Sequence, residues 1–318
     1  MNAKVYSKEE IINSLEGVDL IKPIEIGFVE YSKGNTVVPP VGELLFDDPP
    51  GDVHIKYGYI KGHDNYVIKI ASGFPENYKL GLSSSHGVMV MFDSRSGYLK
   101  CLLHDEGYLT NLRTAVAGAV CAKYLAPDIV KKIGIVGTGI QARLQLKYLR
   151  DVIDCREVVI LGRDNKKIND YIGEMSEFGF NLKKVDNSTE LCKLSNLIVT
   201  TTSANESLIR KSDVIPGTHI TAVGSDTPGK RELDPEILGM AHSLVVDSIP
   251  QCLERGETKY ALDLGIVKEE NLLELGKVIG DYEKIRSDQN DITVADLTGV
   301  AVQDIMITNT VYNNLNNK

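Results

Sequence analysis

The chain has 318 residues, enough for about two domains and a sizeable core. A formal charge of −9, a pI near 5.3 and the lack of any stripe concentrating Lys and Arg argue against nucleic acid as a partner. No N-terminal stretch joins a basic region to an apolar one, and no apolar run approaches the roughly 18 residues of a membrane span, so a cytoplasmic protein without membrane contact is expected.

In chain order, Ser7-Lys-Glu-Glu10 is a capping box, and Ile11, Ile12, Leu15, Ile24 and Phe28 predict an early helical region. Val37-Val-Pro-Pro40 ends it in extended chain. The stretch from Glu43 to Asp52, rich in acids and proline, reads as a loop. Strands are predicted at Tyr66–Ala71, Val88–Phe92 and Tyr98–Leu103, the last two joined by the turn signal Asp93-Ser-Arg-Ser-Gly97. Thr110 is expected to cap a helix running to about Leu125, with Ala115, Gly118, Ala119 and Ala122 on one face and Pro127 stopping it.

From residue 131 the pattern changes to alternating strands and helices. Ile133–Val136, Val158–Leu161, Leu197–Thr200, Ile220–Val223 and Leu244–Asp247 predict a parallel, doubly wound sheet. Gly137-Thr138-Gly139-Ile140-Gln141-Ala142 lies between the first of these strands and a helix. Gly137 permits the tight turn, and Gly139 lets backbone N–H groups approach a pyrophosphate at the helix N-terminus; Ala142 replaces the third glycine. The tail from Ile292 to Asn314 is apolar at helical spacing and is placed back on the first domain. The expected fold is therefore α/β, a Rossmann doubly wound parallel-sheet domain (121–299) inserted in a mixed α+β domain (1–120 plus 300–318).

The cysteines Cys101, Cys121, Cys155, Cys192 and Cys252 are scattered, and neither they nor the histidines show ligand spacing, so no metal is implied. Three other residues can carry chemistry. Lys69 interrupts the apolar strand Val67-Ile-Lys-Ile70: it faces water, or it meets an anion inside the protein. Arg113, expected in the first turn of its helix, is unfavourable there unless it answers an anionic ligand or a structural carboxylate. Asp226 follows a strand's carboxyl end, where open α/β sheets place ligands and where it can shuttle a proton to a substrate nitrogen; Asp226-Thr-Pro-Gly229 is equally a turn.

Taken together, Gly107-Tyr-Leu-Thr-Asn-Leu-Arg-Thr-Ala115, the glycine turn, Val223-Gly-Ser-Asp226 through Glu232-Leu-Asp234, and Asp296-Leu-Thr-Gly-Val-Ala301 resemble the ornithine cyclodeaminase/mu-crystallin family over essentially the whole chain. The resemblance implies a homodimer whose outer domain binds substrate and dimerises. It implies Lys69 and Arg113 as a substrate-carboxylate clamp and Asp226 as acid/base beside the nicotinamide, with Lys69 also counted among the catalytic residues. Ser84 would lie near the nicotinamide and touch substrate, and Thr114, Thr200, Thr201, Thr202, Val223, Gly224 and Val300 would border the cofactor.

Two departures bear on substrate. Near Val41 and Glu43 the family's further arginine is missing, and Lys56 stands in the strand Val53-His-Ile-Lys-Tyr57 where cyclodeaminases carry a glutamate for a substrate amine. Lys56 would repel ornithine's distal ammonium and suit a second carboxylate or an uncharged ring, unless it points to solvent. At the end of the second Rossmann strand, Gly162-Arg163 favours the 2′-phosphate of NADP(H), while Asp164 leaves NAD(H) open. The expected activity is an NAD(P)H-dependent imino-acid reductase or L-amino-acid dehydrogenase. It would transfer hydride at the α-carbon of a small, possibly cyclic imino acid such as pyrroline-2-carboxylate. The alternatives are an ornithine cyclodeaminase, which releases ammonia and recycles NAD, and a non-catalytic mu-crystallin-like NADPH or ligand binder.

Overall fold

A computed structural model describes residues 3–281 and 285–316. The chain forms two compact units, Met1–Arg113 with Val300–Lys318, and Thr114–Gly299.

The first unit begins with β1 (Lys4–Ser7) and α1 (Lys8–Ser14). The capping box forms: the Glu10 amide donates to the Ser7 hydroxyl at 3.3 Å and the Ser7 amide to the Glu10 carboxylate at 2.8 Å. The predicted helical region is two helices, because Gly17 turns the chain at φ 70° before α2 (Ile21–Ser32). After β2 (Thr36–Val37) comes a correction. The expected loop from Glu43 to Asp52 is an antiparallel hairpin of β3 (Gly42–Asp47) and β4 (Pro50–Ile60). Its prolines sit at the tip and at the first position of β4, where a missing ladder N–H does not break the strand.

The three predicted strands are present as β5 (Asn65–Gly73), β6 (Ser85–Asp93) and β7 (Leu99–His104). The order is β1-β7-β6-β5-β4-β2, with β3 on β4. Period-two alternation buries Val67, Lys69, Met89, Met91, Cys101 and Leu103 on one face. The C-terminal helix Ala301–Asn316 packs on β4, β5 and α2, and its Thr308 hydroxyl lies 2.9 Å from the Met89 sulfur.

Helix α3 (Tyr108–Leu125) starts three residues earlier than a cap at Thr110 would place it. Asp105, not Thr110, answers its first turn, accepting from the Leu109 amide at 2.7 Å. Arg113 thus lies a turn further into the helix than the sequence suggested.

In the second unit β8 (Ile133–Val136), α4 (Ile140–Leu149), β9 (Glu157–Leu161), α5 (Asn165–Glu177), β10 (Asn181–Lys184) and α6 (Ser188–Leu194) come first. They are followed by β11 (Leu197–Thr200), β12 (His219–Ala222), α7 (Pro235–Met240), β13 (Ser243–Val246), α8 (Ile249–Cys252) and α9 (Gly256–Asp263). β14 (Leu272–Glu274), α10 (Leu275–Asp281) and β15 (Thr293–Asp296) complete it. The strands form a parallel sheet in the order β10-β9-β8-β11-β12-β15-β13-β14, a doubly wound Rossmann fold.

β15 corrects a second expectation. Val294 and Leu297 fit a helical period with Val300 and Ala301, yet Thr293–Asp296 is a strand paired on both sides, with β12 and β13. A two-sided ladder outweighs local periodicity, and Gly299 (φ 80°) separates strand from helix. β10 was missed because its residues are largely exposed and polar, as an edge strand allows. Among the described residues no helix is long and apolar enough to cross a membrane.

Candidate functional site

In the Rossmann unit the strand order reverses between β8 and β11, and such switch points open a ligand crevice beyond the carboxyl ends of the strands. Gly137 leaves β8 at φ 116°; a Cβ there would lie 2.7 Å from the Thr201 hydroxyl oxygen. Only glycine lets this turn close onto the β11 loop. Thr201 is itself held by a 3.1 Å bond to the Val136 carbonyl, and Thr138 offers its carbonyl to Arg143. Gly139 N-caps α4 without any side-chain hydrogen bond, and a Cβ there would meet nothing within 4 Å. The N-cap of α4 therefore carries no side chain over the helix start, and the place a Cβ would take there is open. A pyrophosphate fits such a helix start.

Ala142 is fully buried, and its carbonyl accepts from the Tyr171 hydroxyl at 3.1 Å, which draws α4 onto α5. Thr114 gives its carbonyl to Gln145 at 3.1 Å. Arg163 is exposed just after β9. The neighbouring Asp164 is committed as the cap of α5, accepting from the Lys166 and Lys167 amides at 2.8 and 3.2 Å.

One strand along the sheet, the Val223 amide donates to Thr200 at 3.0 Å, so the loops after β11 and β12 run together. Asp226 stands exposed on the second of these loops, 2.8 Å from Lys230, and the Ser225 hydroxyl closes the turn by donating to the Lys230 carbonyl at 2.6 Å. The predicted turn and the predicted acid are thus the same feature.

Sequence reasoning missed the buried carboxylates behind these loops. Glu232 accepts from the Thr202 amide at 2.6 Å and the Gly224 amide at 2.9 Å. Glu257 accepts from the Glu232 and Leu233 amides at 2.6 and 3.1 Å, and Asp296 from the Thr258 amide at 2.7 Å. Burial raises the pKa of Glu232 and, with the nearby Asp296 charge, raises that of Glu257 well above the usual range. Burial likewise pushes Asp296 up to about 7. Of the three only Asp296 carried a local signal, as the acid that closes the strand Thr293–Asp296.

In the first unit the inner-face reading of Lys69 holds. Lys69 is 2 % exposed, Arg113 4 % and Asp304 1 %. Lys69 Nζ lies 3.7 Å and Arg113 Nε 3.0 Å from the two oxygens of Asp304, while Arg113 also donates to Gln303 at 2.5 Å. Neither Asp304 oxygen is in a hydrogen bond, so these contacts are electrostatic rather than geometrically locked. Asp304 was legible as the one acid in Val300-Ala-Val-Gln-Asp-Ile-Met306 and was overlooked.

Lys56 does not point to solvent: it is 8 % exposed and pairs across the strands with Lys69, on the same sheet face. Ser84 is exposed just before β6, and Val300 is buried where the chain re-enters the first unit.

The ornithine cyclodeaminase/mu-crystallin family model matches residues 1–318. An uncharacterised cyclodeaminase of Sinorhizobium fredii is 38% identical over 293 residues, 91% of this chain and 88% of its own. An archaeal alanine dehydrogenase dimer with bound NAD superposes with a TM-score of 0.91 at 29% identity, covering 100% of this chain and 97% of that one. The Thermococcus litoralis Δ1-pyrroline-2-carboxylate reductase, in complex with NADH and L-proline, gives 0.90 at 26% identity over 99% and 98% of the two chains. The whole-length match, the Rossmann unit and the glycine turn agree: the chain belongs to the ornithine cyclodeaminase/mu-crystallin family.

Proposed function

We propose that this protein is an NAD(P)H-dependent imino-acid reductase, or L-amino-acid dehydrogenase in reverse, acting at the α-carbon of a small imino acid such as pyrroline-2-carboxylate. The observation that carries this reading is the convergence of two almost fully buried cations, Lys69 and Arg113, on one carboxylate. Burying two cations is costly unless they serve an anion, and a substrate carboxylate meets that demand beside Asp304. The glycine N-cap of α4, with open space at its Cβ position, supports dinucleotide binding. Whole-length similarity to an enzyme holding NADH and L-proline supports the substrate class.

In this scheme Lys69 and Arg113 bind and orient the carboxylate, and Ser84 touches the substrate. Asp226 supplies a proton to the imine nitrogen, and its place on an exposed turn lets it recover that proton from water. The bound cofactor supplies hydride to the α-carbon. Its pyrophosphate would rest on Gly137 to Ala142, while Thr114, Thr200 to Thr202, Val223, Gly224 and Val300 border it. Arg163 selects NADP(H), because Asp164 is spent on its helix cap. We also assign a homodimer formed through the first unit, where Tyr57, Tyr59 and Ile70 expose apolar surface on one sheet face.

The cyclodeaminase reading is favoured by the Sinorhizobium relative and opposed by Lys56, a buried ammonium where ornithine's second amine would need an acceptor. Nicotinamide absorbance, followed with each cofactor and a panel of pyrroline, piperideine and acyclic imino acids, tests the proposal. Net oxidation that disappears in Asp226→Ala supports it. Ammonia and proline formed from ornithine without net oxidation would replace it with the cyclodeaminase, and tight cofactor binding with neither activity would leave a binder.

A further inference from the structure

Two loops at the carboxyl ends of neighbouring strands meet through one side chain. Glu232 is fully buried, with one oxygen on the Thr202 amide (2.6 Å) and the other on the Gly224 amide (2.9 Å). Thr202 belongs to the loop after β11, and Gly224 opens the loop that carries Asp226 two residues on. The contact is close. A Cβ on Gly224 would stand 2.1 Å from the Thr202 carbonyl oxygen and 2.6 Å from the Glu232 carboxyl group, so glycine is required for the loops to touch.

The segment carrying Glu232 is stitched in as well. Its carbonyl accepts from the Leu208 amide at 2.7 Å, and the Arg231 amide donates to Ala204 at 2.8 Å. Behind it, Glu257 in the first turn of α9 takes the amides of Glu232 and Leu233. A carboxylate suits this position where an amide does not. Both its oxygens accept, and the two partners are N–H donors from different loops. Glutamine would turn an NH2 group toward one of them.

We infer that Glu232 is a positioning residue: it ties the cofactor-lining loop to the proton-donor loop and so sets the place of Asp226 relative to the nicotinamide. The inference rests on the reductase reading for what is positioned, but the tie itself concerns the chain alone.

The test compares Glu232→Gln and Glu232→Asp with the wild-type enzyme, reading amide hydrogen exchange, NAD(P)H affinity by fluorescence, and kcat at saturating cofactor. Expected for E232Q is faster exchange confined to Thr202, Gly224 and their neighbours, weaker cofactor binding by about 10-fold, and kcat lower by about 100-fold, the scale of a small misplacement. Glu232→Asp keeps the charge but is too short to reach both loops, and it should restore cofactor affinity more than kcat. A purely structural side chain would instead lower thermal stability and speed exchange across the whole Rossmann unit, with kcat of the folded fraction unchanged; that result overturns the inference. Should E232Q not fold, the affinity-against-kcat split in Glu232→Asp decides, equal losses in both overturning it. Should the wild type bind cofactor but reduce no imino acid, the reductase reading fails, and local exchange with weakened cofactor binding still upholds the tie.

Discussion

Lys69 of β5 and Asp304 of the C-terminal helix lie 3.7 Å apart with almost no exposure to water, and Arg113 reaches the same carboxylate from α3. Removing the anion and removing a cation should therefore have different effects. Asp304→Asn leaves two buried cations without their carboxylate and should cost about 3 kcal/mol, read as a lowered urea midpoint. Lys69→Met leaves the Arg113–Asp304 pair in place and keeps the volume. It should cost at most about 1.5 kcal/mol while raising the KM for imino acid by about 100-fold. Equal stability losses in the two variants would contradict this account.

The two glycines of the nucleotide turn make opposite demands. Gly137→Ala meets both a positive φ and the Thr201 side chain, and should destabilise the protein by about 2 kcal/mol. Gly139→Ala has an ordinary backbone (φ −82°) and open space around it, so its thermal midpoint should stay within a degree or two of wild type. Its methyl group nonetheless fills space the pyrophosphate needs, and NAD(P)H affinity should fall about 10-fold or more. Unchanged affinity in G139A would move the cofactor away from this turn.

Cofactor choice is carried by an exposed arginine and a carboxylate already in use. Arg163→Ala should weaken NADPH by about 10- to 100-fold and leave NADH almost unaffected, as binding titrations with each would report. Asp164→Ala removes the cap of α5 and should cost about 1 kcal/mol of stability without changing the preference.

His219 and Asp296 make the pH dependence of stability a balance. Burial, aided by the Arg286 charge, holds the His219 pKa down at about 3, and its ring bonds the Thr293 and Thr221 hydroxyls at 2.8 and 2.9 Å. Below its ordinary value of 6.5 the unfolded imidazole takes a proton that the folded one refuses, so stability falls as pH drops from 6.5 toward 3. Asp296 has the opposite sign. The folded carboxyl keeps its proton up to about 7 and the unfolded one loses it near 3.8, so stability falls as pH rises between those values. The two slopes, each about 1.4 kcal/mol per pH unit, oppose one another around pH 5. Relative to wild type, Asp296→Asn should make stability rise more steeply with pH in that range and His219→Gln less steeply. Parallel urea-midpoint curves for all three proteins between pH 4.5 and 6 would refute both assignments.

The sequence by itself determined what depends on near neighbours. The Ser7–Glu10 capping box and the glycine turn after β8 are set by backbone stereochemistry and hydrogen bonds a few residues apart, and both read correctly. Tertiary structure decided the rest, because the partners come from distant segments. Helical spacing marked Val294 as helix, and only the flanking strands β12 and β13 make it a strand. Lys69 looked equally fit for water or for an anion until the C-terminal helix brought Asp304 against it. Glu232 carries no local signal either: a buried carboxylate takes its meaning from the amides that meet it, and those belong to two other loops.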